Sequence, residues 1–167
     1  MAIPTASASA DPACPGSDLQ PSAANLDQVE AATLCLINIQ RGQNGLGALT
    51  ANSVLQGAAL EHSQDMVKNH FFSHDSSSGE DFEDRILRFN YAPPNTEWVA
   101  GENIAWGTGT FGTPRQTMTA WLHSSEHRQN ILSSAFHELG IGYVTGQTFQ
   151  GASGATLWSQ EFASRAH

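Results

Sequence analysis

Residues 113–144 read TPRQTMTAWLHSSEHRQNILSSAFHELGIGYV, and the change of period inside this stretch decides the fold class. It opens with a helix start: Thr113 as N-cap, Pro114 at the first helical position and Gln116 in the capping-box position. That helix is predicted to run to about Leu122, with Ser124 or Ser125 capping a second, short helix over Glu126–Leu132. Beyond it the spacing drops to two. Leu139, Ile141 and Tyr143 alternate with Gly140, Gly142 and Val144, and Thr156, Trp158, Gln160 and Phe162 repeat the pattern. The glycine-rich segment Gly146 to Gly154 joins these two strands, and a further strand is predicted around Trp98–Trp106.

Towards the N-terminus the spacing is helical. Val29, Ala32, Leu36 and Ile39 mark one face of a helix from Leu26 to Gly42, ended by Gly42, Gly45 and Gly47. A second helix spans about Asn52–Asn69 with the inward stripe Leu55, Ala58, Ala59, His62 and Met66. A third covers about Glu80–Phe89, after the polar loop Asp75 to Gly79. Helices first and strands last predict an α+β layered domain over residues 26–167, with a small antiparallel sheet. Residues 1–25 hold seven Ala, four Ser and four Pro, and read as a flexible segment. With neither a basic n-region nor a long apolar run, that segment does not read as a signal peptide; it fits the start of an exported chain.

The 167 residues carry a formal charge of −9, with 14% charged residues. So acidic a chain is unsuited to binding nucleic acid or anionic head groups through bulk charge. No run of 18 apolar residues is present, which excludes a membrane-spanning helix. Two cysteines, Cys14 and Cys35, are too few for a disulfide scaffold or a four-thiolate zinc site. In an exported chain they favour a single bridge over a free thiol in a tail.

Four strings hold most of the candidate chemistry: Phe71-Phe72-Ser73-His74, Gly101-Glu102-Asn103-Ile104-Ala105, Trp121 to Leu132 (WxxSxxHRxNIL) and Trp158 to Phe162 (WxxxF). They follow Leu36-Ile37-Asn38 with Arg41, and His62-Ser63 with Asp65-Met66. Together they resemble the CAP family, also called SCP (cysteine-rich secretory proteins, antigen 5 and pathogenesis-related 1), in its bacterial secreted branch. The resemblance implies an α-β-α sandwich with a sheet of about three antiparallel strands, a secreted location, and a cleft lined by two histidines and two glutamates. Three of those four positions carry over, as His74, Glu102 and His127. At the fourth this chain has Ser124, with Glu126 two residues on.

Two neutral imidazoles and a carboxylate suit a divalent metal, zinc first, with copper, nickel and cobalt also served. The reading that follows is a secreted protein whose cleft binds a metal through His74, Glu102 and His127, with Ser124, Glu126 and Asn103 lining it, and takes a small ligand or an extracellular partner. A metal-dependent hydrolase with Glu102 as base is the alternative, acting on extracellular or cell-wall substrates. Lipid or sterol capture and a purely structural polar network complete the set. Serine-hydrolase chemistry is disfavoured, because Ser73, Ser124 and Ser125 merely neighbour histidines and no GxSxG elbow exists. His62 lies on a core stripe, while His70, His123 and His137 fall at element ends. The acids Asp75, Glu80, Asp81, Glu83 and Asp84 suit a helix N-terminus better than calcium. Phe71, Phe72, Trp106 and Trp121 read as core. Asn103 is expected to hold a turn at Glu102, and Arg128 and Asn130 to tie their helix to its neighbours.

Overall fold

A computed structural model describes residues 14–166. The helices are α1 (Leu26–Gln43), α2 (Ser53–Asn69), α3 (Phe82–Arg88), α4 (Pro114–His123) and α5 (Ser125–Ile131). The strands are β1 (Thr50–Ala51), β2 (Trp98–Thr108), β3 (Glu138–Phe149) and β4 (Ala152–Arg165), and a short 3-10 turn at Gly109–Gly112 leads into α4. The sheet order is β1-β3-β4-β2. The three long strands are antiparallel, as expected. The fourth, β1, adds two residues parallel to β3.

The alternation in β3 is a division of labour between two faces. Leu139, Ile141 and Tyr143 join Trp158 and Phe162 in a core with Val29, Leu36 and Ile37 of α1, Met118 and Trp121 of α4, and Ile131 of α5. On the other face Gly140 and Gly142 let the backbone of α2 lie directly on the strand. A Cβ at Gly140 would come within 2.1 Å of the Leu55 carbonyl carbon, and one at Gly142 within 2.1 Å of the Leu60 nitrogen. Ser63 fastens that contact, its hydroxyl donating to Gly142 O at 3.1 Å and meeting Ser159 Oγ at 2.9 Å.

Helix starts follow their local chemistry. Asn52 Oδ1 accepts from the amides of Val54 and Leu55 at the head of α2, and Thr113 Oγ1 from that of Gln116 at the head of α4. The return arm of the α4 capping box is replaced, because Thr113 N–H donates to Thr110 O in the preceding turn.

Three expectations change. The link between β3 and β4 is a tight turn at Gln150 and Gly151, both with positive φ, and irregular pairing at Val144–Phe149 takes up the remaining glycine-rich residues. Phe72 is 41% exposed and lies outside the core. Packing begins at Cys14 instead of Leu26, since Cys14 is buried and bridged to Cys35 of α1. Beyond it, Ser17 O accepts from the Arg115 amide, Asp18 pairs with the Arg115 guanidinium at 2.7 Å, and Thr145 Oγ1 donates to Pro21 O. Of the segment read as flexible, residues 1–13 lie outside the described residues. Among the described residues no helix is long and apolar enough to cross a membrane.

Candidate functional site

His74 is presented by the loop between α2 and α3. α2 ends as His70 turns left-handed (φ 56°) and the Phe71 amide returns to Met66 O at 3.2 Å. Three side chains then hold the loop. His62 Nε2 bonds Ser73 O at 2.8 Å, Arg85 Nη1 donates to Ser76 Oγ at 2.7 Å, and Asp65 accepts from both the amide and the hydroxyl of Ser77 at 2.7 Å. The His74 side chain is left 50% exposed, with Nδ1 fixed 2.7 Å from Glu102 Oε1.

Glu102 lies in the middle of β2, directly opposite Glu161 of β4. Two carboxylates facing each other across a sheet repel. Arg85 of α3 answers the repulsion, its Nη2 contacting Glu102 Oε2 and lying 3.3 Å from Glu161 Oε1, with all three side chains fully buried. Burial, then Glu102, pushes the Glu161 carboxyl well above the usual carboxylate range. Burial also raises Glu102 to about 7, against the pull of Arg85. Glu161 Oε2 finds no donor among the described residues, which suits a carboxyl that burial keeps in its neutral form beside Glu102. His62, whose Nε2 is 3.9 Å from Glu102 Oε2, is pushed down to about 4 by burial and then by Arg85, and is neutral. One carboxylate then balances one guanidinium inside the cluster.

His127 comes from the other face of the sheet. Adjacent residues of a strand point opposite ways. Glu102 therefore turns to the α2 side, and Asn103 to the α5 side. Asn103 Nδ2 donates to His127 O at 3.1 Å, while Asn130 Nδ2 reaches Glu102 O at 3.0 Å and Asn103 Oδ1 at 2.9 Å. His127 is part-buried, and its ring is held below the ordinary imidazole range by burial and then by the charge of His74, with Glu126 opposing. Burial lowers His74 too, with the charge of Arg85 adding to it and Asp75 and Glu126 opposing. His74 and His127 thus flank the outer edge of β2, one on each face.

The expected residues therefore sort by depth. His74 and His127 reach the surface, Glu126 is exposed beside them, and Ser124 is part-buried at the head of α5 without capping it by its side chain. Asn103, expected to line the cleft and hold a turn, is instead fully buried in mid-strand beneath it. Glu102 is sealed below His74, with both oxygens engaged. Among the described residues no group of three His, Cys, Asp or Glu side chains is arranged to hold a metal ion. The donors that fit a metal are the imidazoles, since Glu102 serves His74 and the cation Arg85 stands against it.

Two members of the cluster escaped the sequence reading. Glu161 has a signal, as the one ionisable residue in the run Ala155–Ala163. Arg85 has little, being one of several charges in α3. Arg41, quoted only as part of a motif, is buried and donates to Gly47 O, Ile131 O, Ser133 O and Phe136 O, clamping the end of α1 to the residues after α5. Asn130 ties its helix down as expected, whereas Arg128 is exposed.

A sequence model of the cysteine-rich secretory protein family (CAP) matches residues 34–162. The chain is 34% identical over 128 residues to the uncharacterized protein YkwD of Bacillus subtilis (76% of this chain, 44% of YkwD). It is 32% identical over 113 residues to the uncharacterized membrane protein YlbC of the same organism (68% and 31%). Among solved structures it is similar to an extracellular protein containing a SCP domain from Bacillus anthracis, with TM-score 0.64 and 29% identity, covering 81% of this chain and 42% of that one. The chain spans less than half the length of each of these relatives. The matched span contains His74, Glu102 and His127 at the edge of β2, and the chain belongs to the cysteine-rich secretory protein (CAP) family.

Proposed function

We propose that this chain is an extracellular CAP domain whose working surface is the edge of β2, where His74 and His127 together hold a divalent metal ion, zinc first. The observation that carries the reading is the 2.7 Å contact between His74 Nδ1 and Glu102 Oε1. A carboxylate accepting from Nδ1–H fixes the tautomer and leaves the Nε2 lone pair directed away from it, on a ring that is half exposed. Glu102 acts as the orienting group, and Arg85 with Glu161 fixes Glu102 in turn. A metal held by two imidazoles keeps open positions, and would supply there a Lewis-acid contact for a small ligand or an extracellular partner. The Cys14–Cys35 bridge suits an oxidising compartment. The similar Bacillus anthracis protein is described as extracellular.

The test is calorimetric titration of zinc into the parent, His74→Ala, His127→Ala and Glu102→Gln. Binding should vanish in the two alanine variants and weaken about 10- to 100-fold in Glu102→Gln, the usual effect of losing an orienting partner. Equal heats in the parent and both alanine variants would rule the site out.

A further inference from the structure

Between α2, the loop after it and the end of α3 lies an open cavity of about 630 Å³. Glu61, Asp65 and Lys68 line it from α2, Ser77 and Ser78 from the loop, and Arg88 from α3. Neither His74 nor His127 lines it, and no apolar side chain does. His62 lines it as well. We propose that this cavity is a second ligand site, and that it takes a neutral polyhydroxylated ring, a sugar, one of whose hydroxyls donates to His62 Nδ1.

The observation that points to a ligand is His62. Its side chain is fully buried, yet the residue lines the cavity, and Nδ1 has no hydrogen-bond partner among the described residues. The other ring nitrogen settles where the proton sits. A carbonyl only accepts, so Nε2 donates to Ser73 O at 2.8 Å, and the neutral ring keeps a lone pair on Nδ1. A buried acceptor without a donor is costly and uncommon, and an occupant that brings a donor to it removes that cost.

Charge narrows the class. Glu61 and Glu80 each bond Arg88 through both carboxylate oxygens. Asp65 accepts from Ser77 through both of its oxygens, and from Asn69 besides. These carboxylates are already served, and Arg88 and Lys68 oppose a cationic ligand. An anion fares no better, meeting three carboxylates against two cations. A metal ion finds no set of three His, Cys, Asp or Glu groups among the described residues. What stays open is the Nδ1 acceptor, with the exposed side chains of Gln64, Lys68 and Ser78 on the same lining to donate, and in Gln64 and Ser78 also to accept. Hydroxyls meet both demands, because each donates and accepts at once. With no apolar side chain in its lining the cavity offers nothing to a lipid, and its volume is that of ordinary small-molecule pockets.

The experiment titrates methyl glucoside, methyl galactoside and methyl mannoside into the full chain, with the hexosamine and hexuronate of each as charged counterparts, followed by amide and imidazole nitrogen chemical shifts. A neutral glycoside should bind saturably, with shifts centred on residues 61–68 and 76–80, and at least about threefold tighter than either charged counterpart. The His62 Nδ1 resonance should move as its lone pair takes up a hydrogen bond, a change that a merely structural histidine does not show. Gln64→Ala and Ser78→Ala, both at the surface, should each weaken binding about twofold to tenfold, the worth of one hydrogen bond. His62→Phe, which keeps a ring and removes Nδ1, should abolish it, and His74→Ala should leave it as in the parent. Should His62→Phe disturb the Ser73 loop, the Nδ1 resonance of the parent carries the test. No saturable binding by any neutral glycoside, a charged counterpart binding as tightly, an unmoved Nδ1 resonance at saturation, or parent affinity in His62→Phe overturns the inference.

Discussion

Glu161→Gln separates the shared-proton account of the buried cluster from a simple salt-bridge account. In the folded parent Glu161 keeps a proton that the unfolded chain releases in the ordinary carboxylate range. A folded-state pKa raised in this way gives stability that is present below the unfolded pKa and is lost as pH rises. The loss can reach about 1.4 kcal/mol per pH unit for one group, or about 3 kcal/mol between pH 5 and pH 7. Glutamine reproduces the neutral acid: its amide nitrogen can donate to Glu102 as the acid proton does, and its carbonyl can accept from Arg85 as Glu161 Oε1 does. It has no proton to lose.

The variant should therefore gain on the parent as pH rises, by up to about 3 kcal/mol over those two units, or about 5–10 °C in Tm for a domain of this size. Urea denaturation at pH 5, 6 and 7, followed by far-ultraviolet circular dichroism, measures it. Comparing the two proteins at each pH cancels the titration of groups outside the cluster, leaving that of Glu161 and of Glu102 beside it. Parallel stability curves would falsify the assignment of the proton to Glu161. A variant that loses ground as pH rises would mean that Glu161 is ionised and is held by Arg85 alone.

Two further outcomes follow from neighbouring contacts. Arg85→Met takes the one guanidinium from the cluster and releases its hold on Ser76, so urea denaturation at pH 7 should show a loss of about 3–5 kcal/mol, the cost of stripping one partner from a buried pair; a loss below about 1 kcal/mol would show that the carboxyls are already neutral. Gly142→Ala drives a methyl group into the Leu60 backbone and should cost about 1–3 kcal/mol or more in the same assay, because α2 must lift off the strand; parent stability would show that α2 rides higher than described.

Legibility in the sequence depended on whether the signal was local. The period change at Leu139, the cap at Thr113 and the helical stripe through Leu55 and Met66 are written in neighbouring residues, and each element appears within a few positions of its expected place. β1 escaped because two residues carry no period; Thr50 and Ala51 are strand only through their register with Glu138 and Leu139. The anchoring of residues 14–25 was hidden by composition. Ala, Ser and Pro look like linker, and the bridge to Cys35 and the contacts to Arg115 and Thr145 join positions from 21 to 124 residues apart. For the site, motif resemblance supplied His74, Glu102 and His127 but not their depth. Whether a carboxylate is a ligand or a support depends on what stands behind it, and here Arg85 and Glu161 arrive from α3 and β4.

The alternation of a single strand explains why the three motif residues do not form one ligand set. Glu102 and Asn103 are neighbours, so β2 must send one to each face, and each then organises its own layer. Glu102 collects Arg85, Glu161 and His74 on the α2 side; Asn103 collects Asn130 and the His127 carbonyl on the α5 side. An exposed edge strand presents unpaired backbone groups. Asn130 Nδ2 covers one of them, the Glu102 carbonyl, standing where a further strand would place an amide. With the Asn130–Asn103 and Asn103–His127 bonds, this bond holds α5 on the edge and helps fix the position of His127 relative to His74. Asn130→Ala removes the bond to Glu102 O and the one to Asn103 without touching either imidazole or the Glu102 side chain. If the edge is what brings the two histidines together, the variant should weaken zinc binding while the His74–Glu102 contact survives. Unchanged zinc binding in this variant, with α5 still folded, would mean that the metal needs only one of the two rings.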